Sequence, residues 1–399
     1  MLRRSPLLSR VGLAAVVLGL AVACTHGATT AVSPLPGASG SPVPAATPVL
    51  QALQQKGTTV PWSKPLTLSA TNGTLTAVIA TDPGGAVLEG TLTDGTWTSA
   101  ATLVPARSYA VAAQVKDEDG KTRTLDETFV ASNAQHVLHA TISPGSHAVV
   151  GVAQPVIVRF DQKVSGRANR LAVLSRLNVT TTPAVVGAWR WYNSYEVHYH
   201  GPKYWASGTT IAVHVDLGLL RLAGTTTWGS TRAVDDGFTV GKDYESIVDI
   251  SAHVMRVYLD HKLIRTIKVS TGRDQYPTKG GVHIVLTREK SHIYNSGTVG
   301  IPTAGPGGYY ETLPWSMRIS NGGAFVHANP QTVGVQGLRN VSHGCVNTSV
   351  TDAKWFYYHS QLGDPVNIIH AVVKPVKWDA GMADWNYTWA EWKSGNLDG

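Results

Sequence analysis

Apolar and polar positions alternate with a period of two through much of this chain. Tyr109, Val111, Ala113 and Val115 fall on one face of an extended segment, and Ile211, Val213 and Val215 repeat the pattern further on. Such alternation marks strands with one buried face. Asp82-Pro83-Gly84, Asp94-Gly95 and Asp119-Gly120 punctuate the stretch from Trp62 to Ser132 at the turn spacing of a β-sandwich. "LDETFV" (125–130) and "VDDGFTV" (234–240) each set an acidic pair shortly before a Phe. They read as matching closing strands of two immunoglobulin-like modules, 59–138 and 139–241.

A third region, 242–374, opens on a hairpin. Val254, Arg256, Tyr258 and Leu259 lead to the turn Asp260-His261, and "KLIRTIKVSTG" returns from it. Further strands are expected in "GVHIVLT", "GAFVHA" and "VNIIHAVV". One helix is predicted late in the region. Ser349-Val350-Thr351-Asp352 resembles a capping box, Trp355, Phe356 and Tyr358 follow it, and Gly363 with Pro365 stops it. In the tail, 375–399, Trp385, Trp389 and Trp392 lie at i, i+4 and i+7, one helical face that is expected to dock on the third domain. A carbohydrate-binding role for these tryptophans is the alternative. The expected fold is mainly β: two sandwiches, a β-rich third domain with few helices, and a Trp-rich C-terminal tail.

The N-terminus departs from this pattern. Arg3, Arg4 and Arg10 precede an apolar run, Val11 to Ala23, that is short for a membrane span. "AVAC" resembles a bacterial lipobox with Ala in its first position, which implies cleavage after residue 23 and lipid on Cys24. An ordinary secretory signal is the alternative. Residues 24–58, rich in Ala, Ser, Thr, Pro and Gly, cannot bury enough apolar surface to fold and read as a disordered tether. The expected location is the outer face of the cytoplasmic membrane, in the cell envelope. The formal charge is +7, but three positive charges sit in the leader. No Lys/Arg stripe is present, so nucleic-acid binding is not expected.

Only two cysteines occur, Cys24 and Cys345. If the first carries lipid, no disulfide forms within the chain, and Cys345 is either a buried inert thiol or a reactive one. A free thiol has a pKa of about 8.5, so it needs help to ionise at neutral pH. His343 lies two residues before it in "VSHGCVNTSV", and His327 lies in "GGAFVHANP" on one strand face with Phe325. An imidazole that takes the thiol proton makes a nucleophilic Cys/His enzyme. Gly344 frees the backbone beside the nucleophile, so amide N–H groups can converge as an oxyanion hole. The His-before-Cys order does not fit papain-type proteases.

"FVHANP…GLRNVSHGCVN" resembles the signature of YkuD-type L,D-transpeptidases, and "YPTKGGVHIV" resembles another strand of that domain. The whole layout is similar to the actinobacterial lipoprotein form of that family. The resemblance implies that 242–374 is a catalytic domain with Cys345 as nucleophile and His327 as base. It implies that backbone N–H groups around Gly344 and Cys345 form the oxyanion hole, with Ser342 at the first motif position. His343 and Asn347 would shape the site and hold the donor stem, and Tyr309, or else Tyr310, would cover the donor. The implied reaction joins peptidoglycan stem peptides, a donor tetrapeptide and an acceptor amine, through a Cys345 thioester and releases D-Ala. The product is a 3→3 cross-link. Water as acceptor gives carboxypeptidase activity, and acylation by carbapenems is implied too. No cofactor or metal is required. Ala328 stands where close relatives have Ser, Gln331 where Trp is usual, and Tyr294 where the lid has Met. The first raises the question of what orients His327.

Other features compete less well. His198 and His200 share a strand face in "EVHYHG", but no third zinc ligand is near in sequence. Trp189, Trp191, Tyr192, Tyr195, Tyr199, Tyr204 and Trp205 read as sandwich core and domain packing, with glycan stacking as the alternative. His283 and His292 receive no role. The competing function is an inactive lipoprotein that binds the wall.

Overall fold

The computed structural model describes residues 46–374 and 383–398. The leader, Cys24 and most of the expected tether lie outside the described residues. No helix of the described residues is long and apolar enough to cross a membrane.

The first sandwich pairs two four-stranded sheets. One runs Val49–Ala52, Pro65–Thr71, Thr96–Thr102, Gly90–Thr93; the other runs Thr59–Val60, Thr122–Ala131, Ser108–Asp117, Gly73–Thr81. Tyr109, Val111, Ala113 and Val115 face the core, as their alternation predicts. The sandwich starts before residue 59. Val49–Ala52 pairs antiparallel with the next strand and buries Leu50 and Ala52. The expected tether is thus shortened at its C-terminal side, because these two side chains fill the edge of the core.

The second sandwich packs Ala140–Ser143, Val156–Phe160, Glu196–His200 and Ala188–Trp191 against a sheet of Ala148–Val150, Val234–Val240, Thr210–Val215 and Leu177–Thr182. The repeated Phe residues occupy matching places. Phe129 pairs with Tyr109 and Phe238 with Ile211, each buried on the last strand of its module. Trp191, Tyr199 and Trp205 belong to the core, with Trp189 and Tyr204 packed against it, as expected of packing aromatics. A helix that alternation does not announce, Arg167–Leu174, buries Arg170 with its guanidinium over the Trp191 ring.

The third domain has a five-stranded sheet, ordered Lys262–Lys268, Val254–Leu259, Tyr244–Asp249, Pro365–Ile369, Gly281–Ile284. A four-stranded sheet, Thr287–Asn295, Tyr310–Arg318, Phe325–Ala328, Val346–Thr348, packs against it. Val248, Met255, Val257, Val326, Val346 and Val366 meet in the core. The hairpin turn is where it was expected: Asp260 and His261 both take positive φ, 49° and 63°, the conformation that two-residue hairpin loops require. The expected helix spans Val350–His359, with the Ser349 side chain accepting from the Asp352 N–H. It ends at Ser360, ahead of the expected Gly363 stop.

The second and third domains are joined by backbone. Gly151 N–H donates to Leu362 O at 2.7 Å, and Ala153 N–H to Gly363 O at 3.1 Å. A Cβ on Gly151 would lie 2.2 Å from Asp364, so only glycine permits this approach.

The tail corrects its expectation. Its described residues, 383–398, bond mainly to the second sandwich, and Asn386 grips the third domain, bonding both the N–H and the carbonyl of Val282 at 2.8 and 2.9 Å. Trp392 donates to Ala188 O, Trp385 to Ala153 O, and His200 stacks on both rings. The three tryptophans do not share one helix. Thr388 and Glu391 form a capping box that starts a short helix at Trp389, and Trp385 lies in a preceding 3₁₀ turn. His198 is held by carboxylates on both nitrogens, Asp384 at 2.8 Å and Glu196 at 2.6 Å, so its ring is used in docking the tail.

Candidate active site

The site forms where the strands Phe325–Ala328 and Val346–Thr348 run parallel in the register Val326↔Val346 and His327↔Asn347. This puts the loop that ends in Cys345 beside the buried strand that carries His327. Both residues line a cavity of about 260 Å3 together with Tyr309, Glu311, Asn329 and Asn347. A second cavity, of about 440 Å3, also reaches Cys345 and is lined by Lys279, Arg318, Ser320 and Gly323. Cys345 thus lines both cavities.

Ala328 leaves His327 with an orienting partner. His327 Nδ1 lies 2.9 Å from the Ala328 carbonyl oxygen. A carbonyl only accepts, so Nδ1 carries the proton and Nε2 is left as the basic nitrogen. Burial pushes the imidazole pKa down to about 4, against the effect of that carbonyl. Burial also pushes the Cys345 thiol up to about 11, against the Phe325 N–H and the Arg318 charge. Both shifts favour the neutral thiol and the neutral imidazole.

The loop before the nucleophile is tightly built. Ser342 Oγ donates to Cys345 O at 2.6 Å and accepts from Gly344 N–H at 3.0 Å. The Gly344 amide is thus taken, and this part of the expected oxyanion hole is corrected; among the described residues no hydrogen bond engages the Cys345 N–H. Gly344 has φ +119°, a conformation open to glycine. Thr278 Oγ1 fixes the Gly344 carbonyl at 2.9 Å and accepts from Gly272 N–H at 2.8 Å.

His343 sits between the rings of Tyr276 and Tyr309, at 4.8 and 4.9 Å. Arg273 Nη2 donates to its Nε2 at 2.6 Å. Burial and the Arg273 charge lower its pKa, which favours the neutral ring. Asn347 is buried, with its amide 3.4 Å from Thr332 Oγ1.

Tyr309 lines both cavities, and its backbone is tied to Ser296 at the neck of the loop between two strands. Tyr310 is corrected: it is 68% exposed and lines neither cavity, because the next residue along a strand points to the opposite face. Tyr294 is buried against the His327 ring at 4.7 Å and donates to Ser316 Oγ, so it forms cavity wall. Gln331 lines the smaller cavity from the rim. His292 is held by Glu289 at 2.7 Å and packs on Phe325; His283 bonds Lys279 O at 3.1 Å. Both reach the larger cavity.

Sequence reasoning missed Arg273 and Glu311. Arg273 carries no local motif. Glu311 was visible as a charge two residues after Tyr309 at the start of the strand Tyr310–Arg318, a spacing that in extended chain puts both on one face.

The L,D-transpeptidase catalytic domain family matches residues 243–368, and the bacterial Ig domain family matches residues 57–219, across both sandwiches. L,D-transpeptidase 2 of Mycobacterium tuberculosis is 34% identical over 394 residues, covering 98% of this chain and 95% of its own length. The chain belongs to the L,D-transpeptidase family. L,D-transpeptidase 5 of the same species is 30% identical, covering 83% of this chain and 72% of that protein. The solved structure of the L,D-transpeptidase LdtMt1 in complex with imipenem matches 57% of this chain and 97% of its own, with 30% identity and a TM-score of 0.50.

Proposed function

We propose that this L,D-transpeptidase cross-links peptidoglycan stems through a Cys345 thioester. The observation that carries the reading is the buried His327, oriented by the Ala328 carbonyl, in the same cavity as Cys345. The donor is a stem tetrapeptide ending in D-Ala. Cys345 Sγ bonds to the carbonyl carbon before D-Ala as His327 Nε2 takes the thiol proton. Burial favours the neutral form of both groups, so proton transfer accompanies S–C bond formation. The tetrahedral oxyanion faces the Cys345 N–H. The C–N bond then breaks, and His327 returns the proton to the departing D-Ala amine.

In the second half, the neutral side-chain amine of an acceptor stem attacks the thioester. The new C–N bond forms, the C–S bond breaks, and the amine proton passes through His327 to the sulfur. The product is a 3→3 cross-link; water in place of the amine gives carboxypeptidase activity. Two cavities meeting at Cys345 suit a reaction that brings two substrates to one thiol in turn. Carbapenems acylate the same sulfur. The leader pattern supports lipid on Cys24 and a place on the outer face of the cytoplasmic membrane.

The test is incubation of the protein, and of Cys345→Ala, with a disaccharide-tetrapeptide. The parent should release D-Ala and yield a cross-linked dimer by mass, and the variant neither. A parent that neither releases D-Ala nor gains a carbapenem adduct on Cys345 removes the reading and favours an inactive wall-binding protein.

A further inference from the structure

The two cavities that meet at Cys345 carry opposite charge. The larger is lined by the cations Lys279 and Arg318. The smaller has one formally charged side chain, Glu311. Its position is set by register. Glu311 and Leu313 alternate onto the cavity face of the strand Tyr310–Arg318, directly after Tyr309, and Glu311 stands opposite Tyr294 on the neighbouring strand. That face is otherwise aromatic and aliphatic: Tyr294, Leu313, Phe325, Tyr309 and Cys345 pack as one cluster.

A carboxylate is out of place there. Among the described residues no hydrogen bond or ion pair engages Glu311. Burial raises its pKa, and no neighbouring group offsets this. It also lies close enough to Tyr309 to add, after burial and Cys345, to the rise in that hydroxyl's pKa. A partly buried anion without a partner is a standing loss of stability unless a ligand cation pairs with it.

The transpeptidase reaction supplies that cation. Its acceptor nucleophile is a primary amine, which is an ammonium in neutral water. Donor and acceptor stems carry the same groups, but they differ at the reacting end: the donor reacts beside its terminal D-Ala carboxylate, which suits the cavity with Lys279 and Arg318. We infer that the Glu311 carboxylate recognises the ammonium of the acceptor stem and so places the acceptor in the smaller cavity. The inference rests on the transpeptidase reading above. Glu311 is a specificity-determining residue here. It holds the ammonium beside the thioester; the ammonium loses one proton to solvent water, and the resulting amine attacks as already described.

The test compares Glu311→Gln, Glu311→Asp and Glu311→Lys with the parent on a tetrapeptide donor and a stem-peptide amine acceptor. Acylation by a carbapenem needs no acceptor, so it reports on the fold and on the Cys345–His327 pair. Loss of this signal in the parent defeats the transpeptidase reading and is thereby distinguished from failure of the present one. The expected result for Glu311→Gln is an acceptor KM raised about tenfold, the size of one charged hydrogen bond. Its ratio of cross-linked to hydrolysed product should fall in step, and carbapenem acylation should change by much less. Glu311→Lys should lower the ratio further, and Glu311→Asp should recover part of it. An unchanged product ratio in Glu311→Gln and Glu311→Lys, or a loss of acylation that matches the loss of cross-linking, overturns the inference.

Discussion

His327 Nδ1 rests 2.9 Å from the carbonyl oxygen of the next residue, Ala328. A main-chain atom therefore does for the base what a side chain does in many Cys/His sites. The carbonyl is fixed by the strand itself, so the tautomer does not depend on which side chain occupies 328. Ala328→Ser should leave the rate of carbapenem acylation within about threefold of the parent, whereas His327→Ala should lower it by at least ~100-fold, the usual worth of a general base. Absorbance of the β-lactam during acylation measures both. A large gain from Ala328→Ser would show that the carbonyl alone orients the ring poorly.

The neutral resting pair makes a prediction about pH. With the thiol pushed up to about 11 and the imidazole down to about 4, the reactive thiolate is scarce at neutral pH and grows as pH rises. Alkylation of Cys345 by iodoacetamide should climb about tenfold per pH unit from 7 to 10, without a plateau. Peptide mass spectrometry reads the adduct at Cys345. A plateau below pH 8 would mean that a thiolate–imidazolium pair already exists.

Gly344 is needed for its backbone. A Cβ there would have its nearest neighbour at 3.9 Å, Tyr276 O, so space is ample, but φ is +119°. An L side chain in so sparse a region costs about 1–3 kcal/mol. The loop bonded through Ser342 and Thr278 must absorb that strain or move Cys345. Gly344→Ala should slow carbapenem acylation by about ten- to a hundredfold, with the protein still folded by circular dichroism. Parent-like acylation would show that the loop relaxes without disturbing the thiol.

What is legible in the sequence follows the range of the interaction. The Asp260-His261 turn and the Ser349 cap depend on neighbours a few residues away, and both can be placed from the sequence. So can the meeting of His327 and Cys345 at one cavity, because the motif carries both. The docking face of the tail cannot. Tryptophans at i, i+4 and i+7 say that a face is buried, not against what, and Thr388-x-x-Glu391 announces a helix start that splits the run. The edge strand Val49–Ala52 is hidden because four residues in a Pro- and Ala-rich segment carry little periodicity. Arg273 reaches His343 only because the chain returns after 70 positions, and no local pattern encodes that meeting.

The tail offers the last test. His198 is 1% exposed and lies between Asp384 of the tail and Glu196 of its own strand. Burial alone would lower its pKa, but the two carboxylates outweigh that and raise it to about 9. In the unfolded chain the ring titrates near 6.5. A folded pKa above the unfolded one means that the native state holds the proton more tightly. The stabilisation is therefore complete below about pH 6.5, and it disappears as pH rises through about 9. Its size is on the order of 3 kcal/mol. The thermal midpoint of the parent should fall between pH 7 and 10. His198→Gln should start lower and lose most of that slope, because it leaves Asp384 without its cation. Differential scanning calorimetry across this range measures both, and an equal slope in the two proteins would show that the imidazole is neutral in the folded state.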